Sequence, residues 1–307
     1  MTLKNNWPDA SPISKFILLG LLMVFCSLIC MGIFFTINHF LWQYDLNEIS
    51  QLNKNTAPNI ILVAKFLQIS SQLGLFVLPA LFFAYLTSNT PLKELKLNNS
   101  PTTSSIVLVI FITLLAIPFI NILAIWNAEL HLPHFMESVE IWMRDMQFKN
   151  DLLTEIILQM NSSNDILINV LMMVMLPAIG EELIFRGIIQ KQLLKWINNP
   201  HWAIFITATI FSAFHLQFLG FFSRLLLGII FGYFFYYSKN IWTAVTAHFI
   251  NNGLALSLVL FYGTNNDPIT NQSPSTSIII ASSIAFITAS YLLFNKYSQL
   301  TIKSAKE

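Results

Sequence analysis

The chain has 307 residues, of which 55% are hydrophobic and 10% charged, and its mean hydropathy is +0.64. Soluble globular domains carry about 25% charged residues, so an ordinary soluble enzyme is excluded. A net charge of +1, from 16 Lys+Arg against 15 Asp+Glu, offers nothing to a polyanion and argues against nucleic acid as a partner.

A spanning helix needs roughly 20 apolar residues. Eight runs approach or exceed that length: 16–40, 59–86, 104–126, 166–190, 202–219, 221–238, 241–262 and 275–295. The expected fold class is therefore all-α, a polytopic membrane helix bundle. The first run follows a polar tail holding Lys4, Asp9 and Lys15 and has no small-residue cleavage site, so it reads as a retained helix. Its two cysteines, Cys26 and Cys30, lie one helical turn apart in apolar surroundings, which excludes a disulfide framework or zinc ribbon. After the third run comes the long acidic loop 127–165. There Phe135, Val139, Trp142, Met143 and Met146 recur at helical spacing between Glu137, Glu140, Arg144 and Asp145. That pattern predicts an amphipathic helix on the outer face or capping the bundle. Runs 202–219 and 221–238 are short and nearly continuous, so the loop at Leu219-Gly220-Phe221 must be a tight hairpin or lie buried in protein. Asn265–Ser277 reads as a polar outer turn. The linear division is then 1–130, an N-terminal three-helix membrane region; 131–160, the amphipathic segment; 166–262, the core; and 275–307, the last span and tail.

Basic residues set orientation. With the N-terminus inside, the inner segments hold Lys4, Lys15, Lys93, Lys96, Lys191, Lys195, Lys239, Lys296, Lys303 and Lys306, against Lys54, Arg144 and Lys149 outside. Both termini are therefore expected to be cytoplasmic. Lys65 and Arg224 fall near outer helix ends, where long cationic side chains can snorkel to the interface.

Of the acids, only Glu181 and Glu182 fall deep inside an apolar run. An ionisable group at mid-bilayer costs at least about 2.5–3.5 kcal/mol, so the pair needs compensating partners. Arg186 follows Glu182 by four residues, on the same helical face, and suits a bidentate pair. Glu181 points elsewhere, and Pro177 and Gly180 before it are expected to leave room for water or substrate. Among six histidines, only His215 and His248 are well inside apolar runs. Phe211 precedes His215 by one turn, and Asn252 follows His248 by one turn, with Asn251 adjacent. At 1.5 Å per residue each cluster lies roughly 10–20 Å from a cytoplasmic helix end, so the three are expected to share a cavity opening toward the cytoplasm.

The ordered set E-E-x-x-x-R, F-x-x-x-H and H-x-x-x-N on successive membrane helices resembles the CPBP (CAAX protease and bacteriocin-processing, Abi) intramembrane proteases, which include the type II CAAX prenyl endopeptidases. The resemblance covers about residues 166–260. It implies hydrolysis of a peptide bond in a membrane-associated or membrane-embedded substrate. Glu181 and His215 would activate water, His248 and Asn252 would stabilise the oxyanion, Glu182 and Arg186 would form an orienting ion pair, and Phe211 would fix an imidazole. Asn251 is a backup for Asn252. The family's metalloprotease label implies a possible divalent ion such as Zn on Glu181, His215 and His248. The absence of H-E-x-x-H favours a metal-independent reaction. Paired membrane aspartates and a G-x-S nucleophile are also missing, which argues against the aspartyl and that serine type. A proton-coupled transporter and a catalytically silent scaffold or immunity protein are the alternatives. The transporter would show matching polar residues in both halves, and here they lie only in the C-terminal half. Short loops and no organelle-targeting segment suggest a bacterial inner membrane protein, with the lipid bilayer as its surroundings.

Overall fold

The structure, a computed structural model, describes Trp7 and residues 10–160, 162–263 and 276–304. Among the described residues it is helical between loops and contains no strand. The longer helices are α1 (Pro12–Trp42), α2 (Pro58–Thr87), α3 (Thr103–Glu129), α4 (Glu137–Ile157), α5 (Ser163–Ile197), α6 (Pro200–Phe214), α7 (Phe221–Ser238), α8 (Ile241–Tyr262) and α9 (Thr276–Ser304). Six segments are long and apolar enough to cross a membrane: α1, α2, α3, α5, α8, and α7 with the short turn before it. The protein is an integral membrane helix bundle. Each apolar run is largely helical, with 202–219 and 275–295 on shorter apolar stretches. The turn expected at Asn265–Ser277 lies almost wholly outside the described residues, as do Lys4 and Asp9.

The chain forms two compact units. Unit 1 takes Met1–Leu95 and Asp145–Trp196, and unit 2 takes Lys96–Arg144 and Ile197–Glu307.

In unit 1, α1 packs on α2, and α2 packs on α5. Ser11 caps α1 by accepting from the Ser14 N–H, with Pro12 in the first turn, where a missing donor costs nothing. Helices α2 and α5 share a device. Each widens into a π turn, at Leu73–Val77 and at Leu171–Met175. Pro79 and Pro177 follow two residues later. Proline has no N–H to donate and its ring crowds the carbonyl one turn back; a widened turn accommodates both without breaking the span. Close helix approach then needs small residues. A Cβ on Gly74 would lie 2.8 Å from the Ser27 Cα, and one on Gly180 would lie 2.9 Å from the Phe76 Cβ.

Ion pairs fasten α5 at both ends. Near its start, the Lys65 Nζ donates to the Gln159 carbonyl (2.9 Å) and to the Asp165 carboxylate (3.2 Å). Lys65 is 1% exposed, so it is a buried tie and not the snorkelling cation expected from its position. Near the other end, the Lys191 Nζ pairs with the Glu94 carboxylate at 2.7 Å and also reaches the Glu94 carbonyl. Burial pushes the Glu94 carboxyl up, but the bonded Lys191 ammonium, with the charges of Lys195 and Lys15, brings it below its ordinary range.

In unit 2, α3 receives α7, α8 and α9, with the Phe119 and Phe286 rings 6.1 Å apart. Helix α6 packs on α7 through Gly228, whose Cβ would lie 2.9 Å from the Ala208 Cβ. Asn199 caps α6 by accepting from the His201 and Trp202 N–H groups. Asn240 caps α8 by accepting from Trp242 N–H. Before and within the first turns of α4, Glu140 accepts from the Leu132 N–H (2.8 Å), from Arg144 Nε (2.9 Å) and lies 2.7 Å from His131 Nδ1. The expected amphipathic helix is thus present. Phe135 and Trp142 of its apolar set are exposed, and the Trp142 ring lies 5.3 Å from that of Phe218.

Candidate active site

The acidic motif residues lie in unit 1. Pro177 and the π turn before it set the direction of the α5 segment that carries Glu181, Glu182 and Arg186. Glu182 and Arg186 are completely buried, and Arg186 Nη1 donates to Glu182 Oε1 at 2.8 Å. The pair expected from the four-residue spacing is formed. Glu181 is buried too, at 5% exposure. The Phe185 N–H reaches both the Glu181 and Glu182 carbonyls, where the helix widens into a second π stretch, Phe185–Gln190, containing Arg186. Such widened turns recur at functional sites because they rotate side chains away from the regular helical register. One expectation is corrected. Gly180 does not open space for water beside Glu181: Phe76 and Val77 close against it, so its smallness serves helix packing.

The two motif histidines lie in unit 2. His215 is not inside a helical run, as its place in 202–219 suggests. Helix α6 ends at Phe214, and His215 is its C-cap. Leu216 then adopts a left-handed conformation with φ 51°, and a single turn, Phe218–Gly220, leads into α7. The required tight hairpin is there, shifted toward residues 216–220. His215 Nδ1 lies 2.9 Å from the Phe211 carbonyl. A carbonyl can only accept, so Nδ1 carries the hydrogen and Nε2 of the neutral ring is the acceptor. This is a basic nitrogen fixed in direction by its own helix.

Phe211 stands between the two histidines. Its ring centroid is 5.1 Å from His215 and 6.0 Å from His248, both edge-on. Phe231 of α7 stacks on the His248 ring at 5.3 Å and 28°. His248, 4% exposed, is thus packed between two aromatic side chains that hold its plane. Asn252 follows one turn along α8, and its Oδ1 accepts from the Asn251 amide at 3.2 Å. That contact draws on both asparagines considered for the role.

Three residues that the motif spacing does not reveal hold the hairpin after His215. Asn127 of α3 donates to the Phe218 carbonyl (3.2 Å) and accepts from the Phe222 N–H (2.9 Å). Ser212 donates to the Phe221 carbonyl at 2.6 Å. Arg224 folds back onto Gln217, donating through Nη1 to its side-chain oxygen at 2.8 Å and through Nη2 to its carbonyl. Arg224 is therefore a loop clamp. A polar residue at a helix end facing a near-continuous apolar hairpin was the available signal for all three. Phe231 had none, being one of 27 phenylalanines.

Among the described residues, no group of three His, Cys, Asp or Glu side chains is gathered to hold a metal ion.

Residues 163–254 match the family model described as Rce1-like, type II CAAX prenyl endopeptidase Rce1-like. The matched stretch contains Glu181, Glu182, Arg186, Phe211, His215, His248 and Asn252. Comparison with curated proteins gave no match, and comparison with solved structures gave none.

Proposed function

We propose, from the match of residues 163–254 to the family model described as Rce1-like, type II CAAX prenyl endopeptidase Rce1-like, that the chain is an intramembrane endopeptidase using a glutamate-activated water. The observation that carries this reading is that all seven motif residues fall, in order, within the matched segment. It is this order along the chain, and no distance, that unites Glu181 of unit 1 with the imidazoles of unit 2 in one reaction.

In the proposed reaction, the Glu181 carboxylate takes a proton from water while His215 Nε2 accepts that water's other hydrogen bond. The water oxygen attacks the scissile carbonyl carbon. Donors on His248 and Asn252 stabilise the oxyanion as it forms. The C–N bond then breaks, and the proton held by Glu181 passes to the leaving amine. Glu182 and Arg186 act by orienting the helix and touch no substrate. Phe211 and Phe231 fix the imidazole planes. The substrate is a membrane-associated or membrane-embedded peptide segment, reached from the cytoplasmic side of a bacterial inner membrane with both termini inside.

Glu181→Gln tests this directly, because it keeps the side chain's shape and removes the base. Quantitative N-terminal proteomics of cells carrying the wild type or Glu181→Gln is expected to show protein N-termini that depend on the intact carboxylate. Membrane insertion and thermal stability should be unchanged. Cleavage that persists in Glu181→Gln would sink the assignment.

A further inference from the structure

The two ends of unit 2 differ in charge. Its described carboxylates are Glu129, Glu137 and Glu140, at or beyond the end of α3. At the other end, Lys96 precedes α3 and Lys239 joins α7 to α8. Among the described residues of unit 2, no carboxylate lies in the segments around these two lysines, and Glu94, two residues before Lys96 in the chain, is paired with Lys191.

The lysines sit on loops that are tied together. The Asn240 amide donates to the Asn99 carbonyl at 2.8 Å, and Trp242 Nε1 donates to the Leu97 carbonyl at 3.3 Å. Both lysines have left-handed backbone, φ 58° at Lys96 and φ 55° at Lys239, a region that residues with a side chain seldom occupy. Each is locked into its turn by the neighbouring bonds. Lys239 Nζ stands 4.0 Å above the centre of the Tyr236 ring, a cation–π contact. Partial desolvation and the positive charge of Lys96 push the Lys239 ammonium below the usual lysine range. Two cations that repel each other are thus held on one fixed platform, which stabilises whatever anion they share.

We propose that Lys96 and Lys239 form a binding site for the phosphate of an anionic phospholipid headgroup, with the Tyr236 ring as its floor. The source of the phosphate follows from place. Helices α3 and α8 and the α7 span are long and apolar enough to cross a bilayer, and both loops are at span ends. The platform therefore lies at the level of the headgroups, where phosphodiesters are the abundant anions. The tyrosines Tyr236 and Tyr237 beside it have the amphipathic character that suits this boundary.

The full chain is reconstituted into nanodiscs of phosphatidylcholine alone or with phosphatidylglycerol, and retained lipid is counted by native mass spectrometry. A lysine near an anionic surface contributes about fivefold in affinity, so K96Q/K239Q is expected to retain phosphatidylglycerol about 25-fold more weakly than wild type. K96R/K239R should restore retention, which separates loss of charge from loss of the loop fold. Equal retention by K96Q/K239Q and wild type overturns the proposal, as does a wild type with no preference for phosphatidylglycerol. If inorganic phosphate in lipid-free micelles protects the wild type as fully as the lipid does, the headgroup assignment is also overturned.

Discussion

Glu182 and Arg186 are opposite charges with no solvent exposure and a 2.8 Å contact, so each depends on the other. Removing one member of a buried pair leaves an uncompensated charge and costs about 3–5 kcal/mol, whereas replacing both with well-packed apolar groups is often neutral. Arg186→Ala is therefore expected to lower unfolding stability in detergent by about 3–5 kcal/mol, and the double variant Glu182→Leu/Arg186→Met to recover most of it. If Arg186→Ala is as stable as wild type, the pair does not support the helix. This pair was legible in the sequence because two carboxylates and a guanidinium have few reasons to occupy a 25-residue apolar run. Gly180 was legible as a residue but misread in purpose. A glycine next to a carboxylate suggests space, and only the packed neighbour, Phe76, shows that the space is filled. Phe231 could not have been found at all, since nothing local distinguishes a phenylalanine that stacks on an imidazole from one that faces lipid.

At the level of elements, the polar segment leading into α4 is organised by one carboxylate. The Leu132 N–H, Arg144 and His131, in that order of effect, hold Glu140 down at about 2 from an ordinary 4.5. A depressed carboxylate contributes stability that is complete above its unfolded value and is lost as pH falls toward its folded one. Hydrogen exchange over residues 130–144, corrected for intrinsic rate, should stay constant from neutral pH to about 5 and then quicken between about 4.5 and 2. Glu140→Gln should exchange quickly throughout and lose that dependence. A wild-type profile that is flat down to pH 2 would contradict the hub. The amphipathic period announced α4 itself, but the bonds that gather His131, Leu132 and Arg144 on one side chain come from a non-repeating turn, which has no period to read. The break after Phe214 escaped for a similar reason. Hydropathy continues smoothly through His215 and Leu216, while the backbone turns left-handed.

Across the whole molecule, unit 1 is stitched from segments far apart in the chain, and the stitches are charged. Lys65–Asp165 and Lys191–Glu94 each join residues about 100 positions apart, at the two ends of the helix that carries Glu181. Lys65→Ala should loosen both sides of its contact at once, so that exchange quickens together over residues 58–72 and 160–170. Lys54–Glu155, with the lysine 62% exposed, is the comparison, because a surface pair contributes only about 0–1 kcal/mol. Lys54→Ala should leave those segments unchanged, and similar effects from the two variants would remove the distinction. The hairpin after His215 has a consequence of another kind. The imidazole rides on the residue that caps α6, and four backbone groups of the turn are each met by a side chain at a fixed position: the Phe221 carbonyl by Ser212, the Gln217 carbonyl by Arg224, and the Phe218 carbonyl and Phe222 N–H by Asn127. A chain held this way has no slack. One residue added or removed between Leu216 and Gly220 would shift all of those partners out of step, so the hairpin depends on its length more than on the identity of the residues that fill it.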